Sequence, residues 1–345
     1  MTNPEAPPAP IGGRRILAGI VGAALAIALL LWALRGVHLG EVVRQIRDAD
    51  PWPLALGVVF ATLTFPMRLV RWRLLLRSET GAPLPAKPLW HAIAIGFMAN
   101  NLLPFRAGEL VRTLAATKLS GVRFTAAISS IAVERVFDGL ACVALLGVGL
   151  LTSDLPPGVM VGGISLARAA QVAGFLSIGA LAAAGAVVAF PAAAERLIRR
   201  ILPVGRMTER LISVIEGIRQ GLASLRSPAL LIGVSLWSLA LWLVNALAFY
   251  VSFAAFDIPV GFGGALLLQG VVVIGISVQL TPGFVGQFEA AIVAALALYG
   301  ISNHVASSYA IAFHGVTFIP ITLAGAWSLA RTPVALSDLR GAGGS

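Results

Sequence analysis

Apolar positions in this chain gather into long runs separated by short polar, proline-bearing or arginine-bearing connections. Six runs, at about residues 16–34, 52–70, 124–151, 169–190, 228–250 and 304–330, come close to the roughly 20 residues a helix needs to cross a hydrocarbon core. Two more, 89–120 and 264–300, are interrupted in the middle by proline and glycine, so neither makes one clean span. The strand-type alternation that builds membrane barrels is missing. The pattern predicts an all-α membrane protein, a polytopic helical bundle of six full spans plus two re-entrant helical hairpins.

The polar connections orient these elements. Arg71, Arg73, Arg77 and Lys87 face only Glu79 in the connection after the second run, and arginines outnumber Glu195, Glu209 and Glu216 across 191–227. The positive-inside rule puts both connections in the cytoplasm. With the N-terminus also inside, six spans satisfy this bias only if each broken segment returns to the side it entered from. Leu211, Val214, Ile215, Ile218, Leu222 and Leu225 recur at helical spacing, which fits either an amphipathic helix on the inner surface near 207–226 or a plain connector. Residues 1–15 and 331–345 read as cytoplasmic tails, the first proline-rich and disordered. The run after Arg14 and Arg15 is too long for a secretory signal and reads as a retained span.

The two breaks resemble each other. One reads Leu102-Leu103-Pro104-Phe105-Arg106-Ala107-Gly108-Glu109 and the other Leu280-Thr281-Pro282-Gly283-Phe284-Val285-Gly286-Gln287, each with glycine four residues after proline. Each follows two spans and precedes one, so the chain divides into 16–160 and 161–330 with the same element order and opposite starting sides. That is the arrangement of an inverted-topology repeat, in which interrupted helices meet near the midplane and frame a transport site. Non-helical backbone at that depth must be buried in protein or line a wet cavity.

Composition agrees: 58% of the 345 residues are hydrophobic and 12% charged, against roughly 25% charged in soluble domains. The net charge of +10 sits in the connections, so it reads as topology rather than as nucleic-acid binding. Cys142 is the single cysteine, which rules out an intrachain disulfide. No zinc-type spacing, cofactor motif or Walker-type phosphate loop occurs, so no cofactor is expected and any transport would draw on an ion gradient, such as protons, on the membrane potential or on the cargo's own gradient.

Chemistry concentrates in one span. Glu134, Arg135 and Asp138 lie among apolar neighbours, and unpaired near the midplane they would cost roughly 8 to 10 kcal/mol together. Arg106, Glu109 and Arg112 recur at three-residue spacing in the first broken segment, so the six charges cancel. Hairpin and span are expected to face each other, with Glu134 and Asp138 receiving Arg106 and Arg112 and one arginine free for an anionic headgroup. A closed network that only fixes packing is the alternative. Glu289, after Pro282-Gly283, could relay a proton, pair with a first-half arginine or cap hairpin backbone. His314 reads as a packing residue, Arg68 and Arg71 as residues snorkelling at a span end, and the tryptophans as an aromatic belt.

Three motifs then carry a family resemblance: Asn101-Leu102-Leu103-Pro104-Phe105-Arg106-Ala107-Gly108-Glu109-Leu110-Val111-Arg112, Val133-Glu134-Arg135-Val136-Phe137-Asp138, and Pro282-Gly283-Phe284-Val285-Gly286-Gln287-Phe288-Glu289. The chain resembles the transmembrane flippase region of lysylphosphatidylglycerol synthases and their stand-alone relatives over roughly residues 15–330. The resemblance implies movement of a phospholipid or other anionic or aminoacylated lipid-linked substrate between leaflets, and nominates Arg106, Glu109, Arg112, Glu134, Arg135, Asp138 and Glu289 as site residues; the dominance of Ala, Gly and Arg suggests a bacterial source, so the cytoplasmic (inner) membrane is the expected location. The chain ends at Ser345 without a soluble aminoacyl-transferring domain, so synthase activity is not expected. An integral membrane enzyme acting on a lipid or polyprenyl-phosphate headgroup is the alternative, disfavoured by scarce histidine.

Overall fold

A computed structural model describes residues 38–78, 81–156, 160–161, 164–189 and 228–334, with Arg196 and Arg200. The first run, the 207–226 segment and most of both tails lie outside the described residues. Ten α-helices are described: α1 Leu39–Asp48, α2 Pro51–Leu75, α3 Ala86–Leu102, α4 Ala107–Ser120, α5 Phe124–Thr152, α6 Leu166–Ala189, α7 Pro228–Phe253, α8 Phe262–Gly275, α9 Gln287–Ala297 and α10 Asn303–Ala330. Two-residue strands, Met160–Val161 and Ile164–Ser165, form a small antiparallel turn before α6.

Local chemistry sets the helix limits. Asp50 caps α2 by accepting from the Trp52 N–H, and Pro51 occupies the first helical position, where its missing N–H costs nothing. Ser302 caps α10 in the same way through the Val305 N–H. By length and composition, 51–75, 229–256 and 303–330 are long and apolar enough to cross a membrane. On these helices Val59, Leu63, Ile232, Leu236, Ile319 and Leu323 stay exposed, a surface suited to lipid rather than water. The 29-residue α5 is turned the other way about: Glu134 and Asp138 are buried while Val136, Leu140 and Val143 face outward.

Two cores organise the molecule. Trp72, Leu76, Ile93, Val111, Ala115 and Ile131 join α2 to α5, and Phe249, Leu268, Ile292, Leu296, Tyr309 and Phe313 join α7 to α10. Helices α3 and α4 fold back on each other, as do α8 and α9. Between the cores the packing is exchanged: α3 lies on α10 and α8 lies on α5, while α2 lies along α7. Glycines allow the close approaches, since a Cβ at Gly149 would meet the backbone of Leu267 and one at Gly325 would meet Ala94 and Met98.

The breaks share backbone geometry residue for residue. After Pro104, Phe105 and Arg106 take φ of 58° and 52°; after Pro282, Gly283 and Phe284 take 59° and 60°. Three of these four left-handed residues carry side chains, at a cost of roughly 1–2 kcal/mol each, so surrounding contacts must hold them. Gln279 supplies those contacts at the first break. Its Nε2 donates to the carbonyls of Asn100 and Leu103, its Oε1 accepts from the Arg106 N–H, and its own carbonyl accepts from the Phe105 N–H. The two tips are therefore tied directly to each other.

One expectation is corrected here. α2 continues through Leu75, and Arg71 is fully buried and Arg68 nearly so, rather than reaching out from a span end. Thr64, Arg68 and Arg71 form one inward stripe at helical spacing, where carboxylates of α5 receive the charge at less cost than lipid would exact.

Candidate functional site

The candidate site is a half-open cavity of about 530 Å³, with charged side chains set into a largely apolar lining, where α2, both hairpins, α5 and α7 converge. Of the residues nominated from sequence, Arg106, Glu109, Arg112, Arg135 and Asp138 line it, together with Gly108. Glu134 stands behind the wall and Glu289 lies elsewhere in the second hairpin.

Behind the wall is a dense ionic network. Arg112 approaches Glu134 with both terminal nitrogens, Nη1 donating at 2.7 Å and Nη2 at 3.4 Å, while its guanidinium carbon sits 3.7 Å from the Trp72 ring centroid. Arg71 donates to Asp138 Oδ1 at 2.5 Å and to Ser238 Oγ at 2.8 Å, and lies 3.6 Å from Glu134. Trp242 Nε1 donates to the same Asp138 oxygen at 2.9 Å. Such pairing is what allows carboxylates and guanidiniums to stay in an apolar bundle.

The expected pairing is half met. Glu134 does receive Arg112, but Asp138 receives Arg71, and Arg106 bonds to Glu109 and to the Ile276 carbonyl. Arg106 is unable to cross to α5 because its backbone begins α4 in the left-handed region, tied to Gln279. Arg135 bridges Glu109 at 3.5 Å and Asp138 at 3.6 Å. The belt reading of the tryptophans fails for Trp72, which is buried and donates to Ser130, and for Trp242, which lines the cavity.

Adding Arg68 and Arg71 alters the charge balance. The six residues read from sequence cancel, whereas the lining holds four guanidiniums, Arg68, Arg106, Arg112 and Arg135, against the carboxylates of Glu109 and Asp138. The buried Arg71 and Glu134 offset each other, so the site carries two surplus positive charges. Pockets of this kind attract anions strongly because low-dielectric walls focus the field.

Of the three roles open to Glu289, the cap is the one its contacts display. As the third residue of α9 it reaches back to the Gly286 N–H at 2.7 Å, capping the restarted helix after the break. Its other oxygen lies 2.6 Å from His314 Nδ1, and the His314 ring packs tilted against Phe288, centroids 4.5 Å apart. No group of three or more metal-ligating side chains occurs among the described residues. The one Asp-x-Asp triplet, Asp48-Ala49-Asp50, spends Asp50 on the α2 cap.

Fold and site together define a multi-pass integral membrane protein with a positively charged cavity bounded by two interrupted segments and three continuous helices. Residues 19–325 match the family model described as lysylphosphatidylglycerol synthase TM region, and the chain belongs to that family. Glycosyltransferase AglD of Haloferax volcanii is 30% identical over 93% of this chain, which spans only 55% of that protein's length. Two UPF0104 membrane proteins of Methanothermobacter thermautotrophicus match nearly end to end: one is 26% identical over 88% of this chain and 90% of its own length, another 22% over 89% and 91%.

Proposed function

We propose that the protein moves a lipid between leaflets, the anionic headgroup passing through the charged cavity while the acyl chains stay in the bilayer. The surplus positive charge of a cavity enclosed by apolar helices carries this reading. A scaffold gains nothing from such a cavity, and intramembrane ionisable groups commonly mark a substrate path. We further propose that 16–160 and 161–330 are inverted repeats, with six full spans, re-entrant breaks and a cytoplasmic N-terminus. Supporting this are the exchanged packing of α3 on α10 and α8 on α5, and the paired left-handed residues that follow Pro104 and Pro282. With Glu134 and Asp138 held by guanidiniums, we assign the coupling proton to Glu289 and His314.

The test is leaflet movement of fluorescent or aminoacylated phospholipids in liposomes holding the purified protein under imposed gradients. Arg106→Gln and Arg135→Gln, both partly exposed in the cavity, are expected to abolish movement while leaving the protein folded. Absence of movement for every lipid tried, by a folded protein, rejects the transport reading. The name of the Haloferax relative favours one second reading, an enzyme acting on a lipid-phosphate headgroup. Mass spectrometry of the recovered lipid separates the two, since a transporter returns its cargo chemically unchanged.

A further inference from the structure

The arginines around the cavity are unequally engaged. Arg71 and Arg112 make short bonds to Asp138 and Glu134, Arg106 bonds to Glu109 and a carbonyl, and Arg135 lies between two carboxylates. Arg68 differs. Its side chain is buried, and among the described residues it makes no hydrogen bond; its Nε has no partner, as in the other four arginines, but here neither terminal nitrogen reaches a carboxylate closer than 3.9 Å. Its nearest carboxylate oxygen, Asp138 Oδ2, is 3.9 Å away and already lies near Arg71 and Arg135. Arg68 is held instead by aromatic faces, its guanidinium carbon 5.2 Å from the Phe97 ring centroid and 5.8 Å from that of Trp242. Cation–π contacts of this kind fix a cation without consuming its N–H donors. The result is a buried, oriented, unspent donor fork facing a cavity with two surplus positive charges.

Resting on the transport reading above, we propose that Arg68 anchors a lipid-borne phosphate monoester in this cavity. A monoester carries close to two negative charges near neutral pH, which matches the surplus; a phosphodiester carries one. Its oxygens accept from the guanidinium in the paired geometry that arginine favours. The rim argues for a lipid as the source. Leu102, Phe105, Ile274 and Val278 are exposed at or beside the two hairpin tips that bound the cavity, where acyl chains would lie.

Binding and movement are measured separately. Protein in nanodiscs of neutral lipid is titrated with short-chain phosphatidate, with phosphatidylglycerol of the same chains, and with inorganic phosphate. Phosphatidate is expected to bind at least about tenfold more tightly than the other two, and Arg68→Gln and Arg68→Lys each to lose at least about tenfold of that affinity. Lysine keeps the charge and lacks the fork, so it reports on geometry. Equal binding of phosphatidate and phosphatidylglycerol overturns the monoester assignment, and inorganic phosphate binding as tightly as phosphatidate overturns the lipid source. Unchanged affinity in Arg68→Gln overturns the anchor, and unchanged affinity in Arg68→Lys overturns its paired geometry. The wild-type comparison stands even if a variant does not fold. A protein that binds phosphatidate as expected yet moves no lipid refutes transport and keeps the anchor; movement of phosphatidate unaltered in Arg68→Gln does the reverse.

Discussion

Glu134 has no exposed surface, and both terminal nitrogens of Arg112 point at it, with Arg71 close by. Removing one partner of such a pair leaves an uncompensated charge, which typically costs about 3–5 kcal/mol, whereas replacing both by apolar groups of similar size is often neutral. Glu134→Leu and Arg112→Met are therefore each expected to lower the thermal midpoint in detergent sharply, and the double variant to recover much of the loss. Additive losses would contradict the pairing. Spacing alone exposed Glu134, Arg135 and Asp138, because charges inside a long apolar run have no inexpensive alternative to a buried partner. Arg68, Arg71 and Trp242 were less legible. Residues near the end of an apolar run are assigned to the interface by default, and only the stripe through Thr64, Arg68 and Arg71 hinted at an inward face.

At the scale of elements, the broken segments were the most legible feature, since proline followed by glycine marks where a helix must stop and restart. What the motif did not reveal is the clasp between the tips. Gln279 lies in an apolar run and carries no charge, yet its buried amide satisfies backbone groups on the other hairpin that have no helical partner. Gln279→Ala leaves the Asn100 and Leu103 carbonyls and the Arg106 N–H without this partner, at about 1–3 kcal/mol for each group that water does not reach. A lowered thermal midpoint is expected, together with faster amide exchange at Phe105 and Arg106 by hydrogen–deuterium mass spectrometry. Exchange unaltered at those two amides would show that the tips are held by something else. The Glu134–Arg112 contact joins α4 to α5 and was foreseen; the departure of Arg106 from that scheme follows from its left-handed backbone, which spacing does not encode.

Over the whole molecule, two hydrophobic cores flank a shared cavity into which charged side chains are set. Membrane class was plain from the sequence because bilayer thickness dictates run length; the cavity was not, because it depends on which faces of α2, α5 and α7 turn toward one another. Cys142, the chain's single cysteine, is buried, so the probe is Gly139→Cys, at an exposed cavity-lining position with open space for a side chain, introduced in a Cys142→Ala background. The decisive measurement is modification of the introduced thiol in oriented proteoliposomes by membrane-impermeant thiol reagents added to one side at a time. A headgroup pathway through a positively charged cavity requires reaction from both sides, faster with an anionic reagent than with a cationic one of equal size, and slowed by the transported lipid. Reaction from one side only, in a preparation that moves lipid, would place the pathway elsewhere.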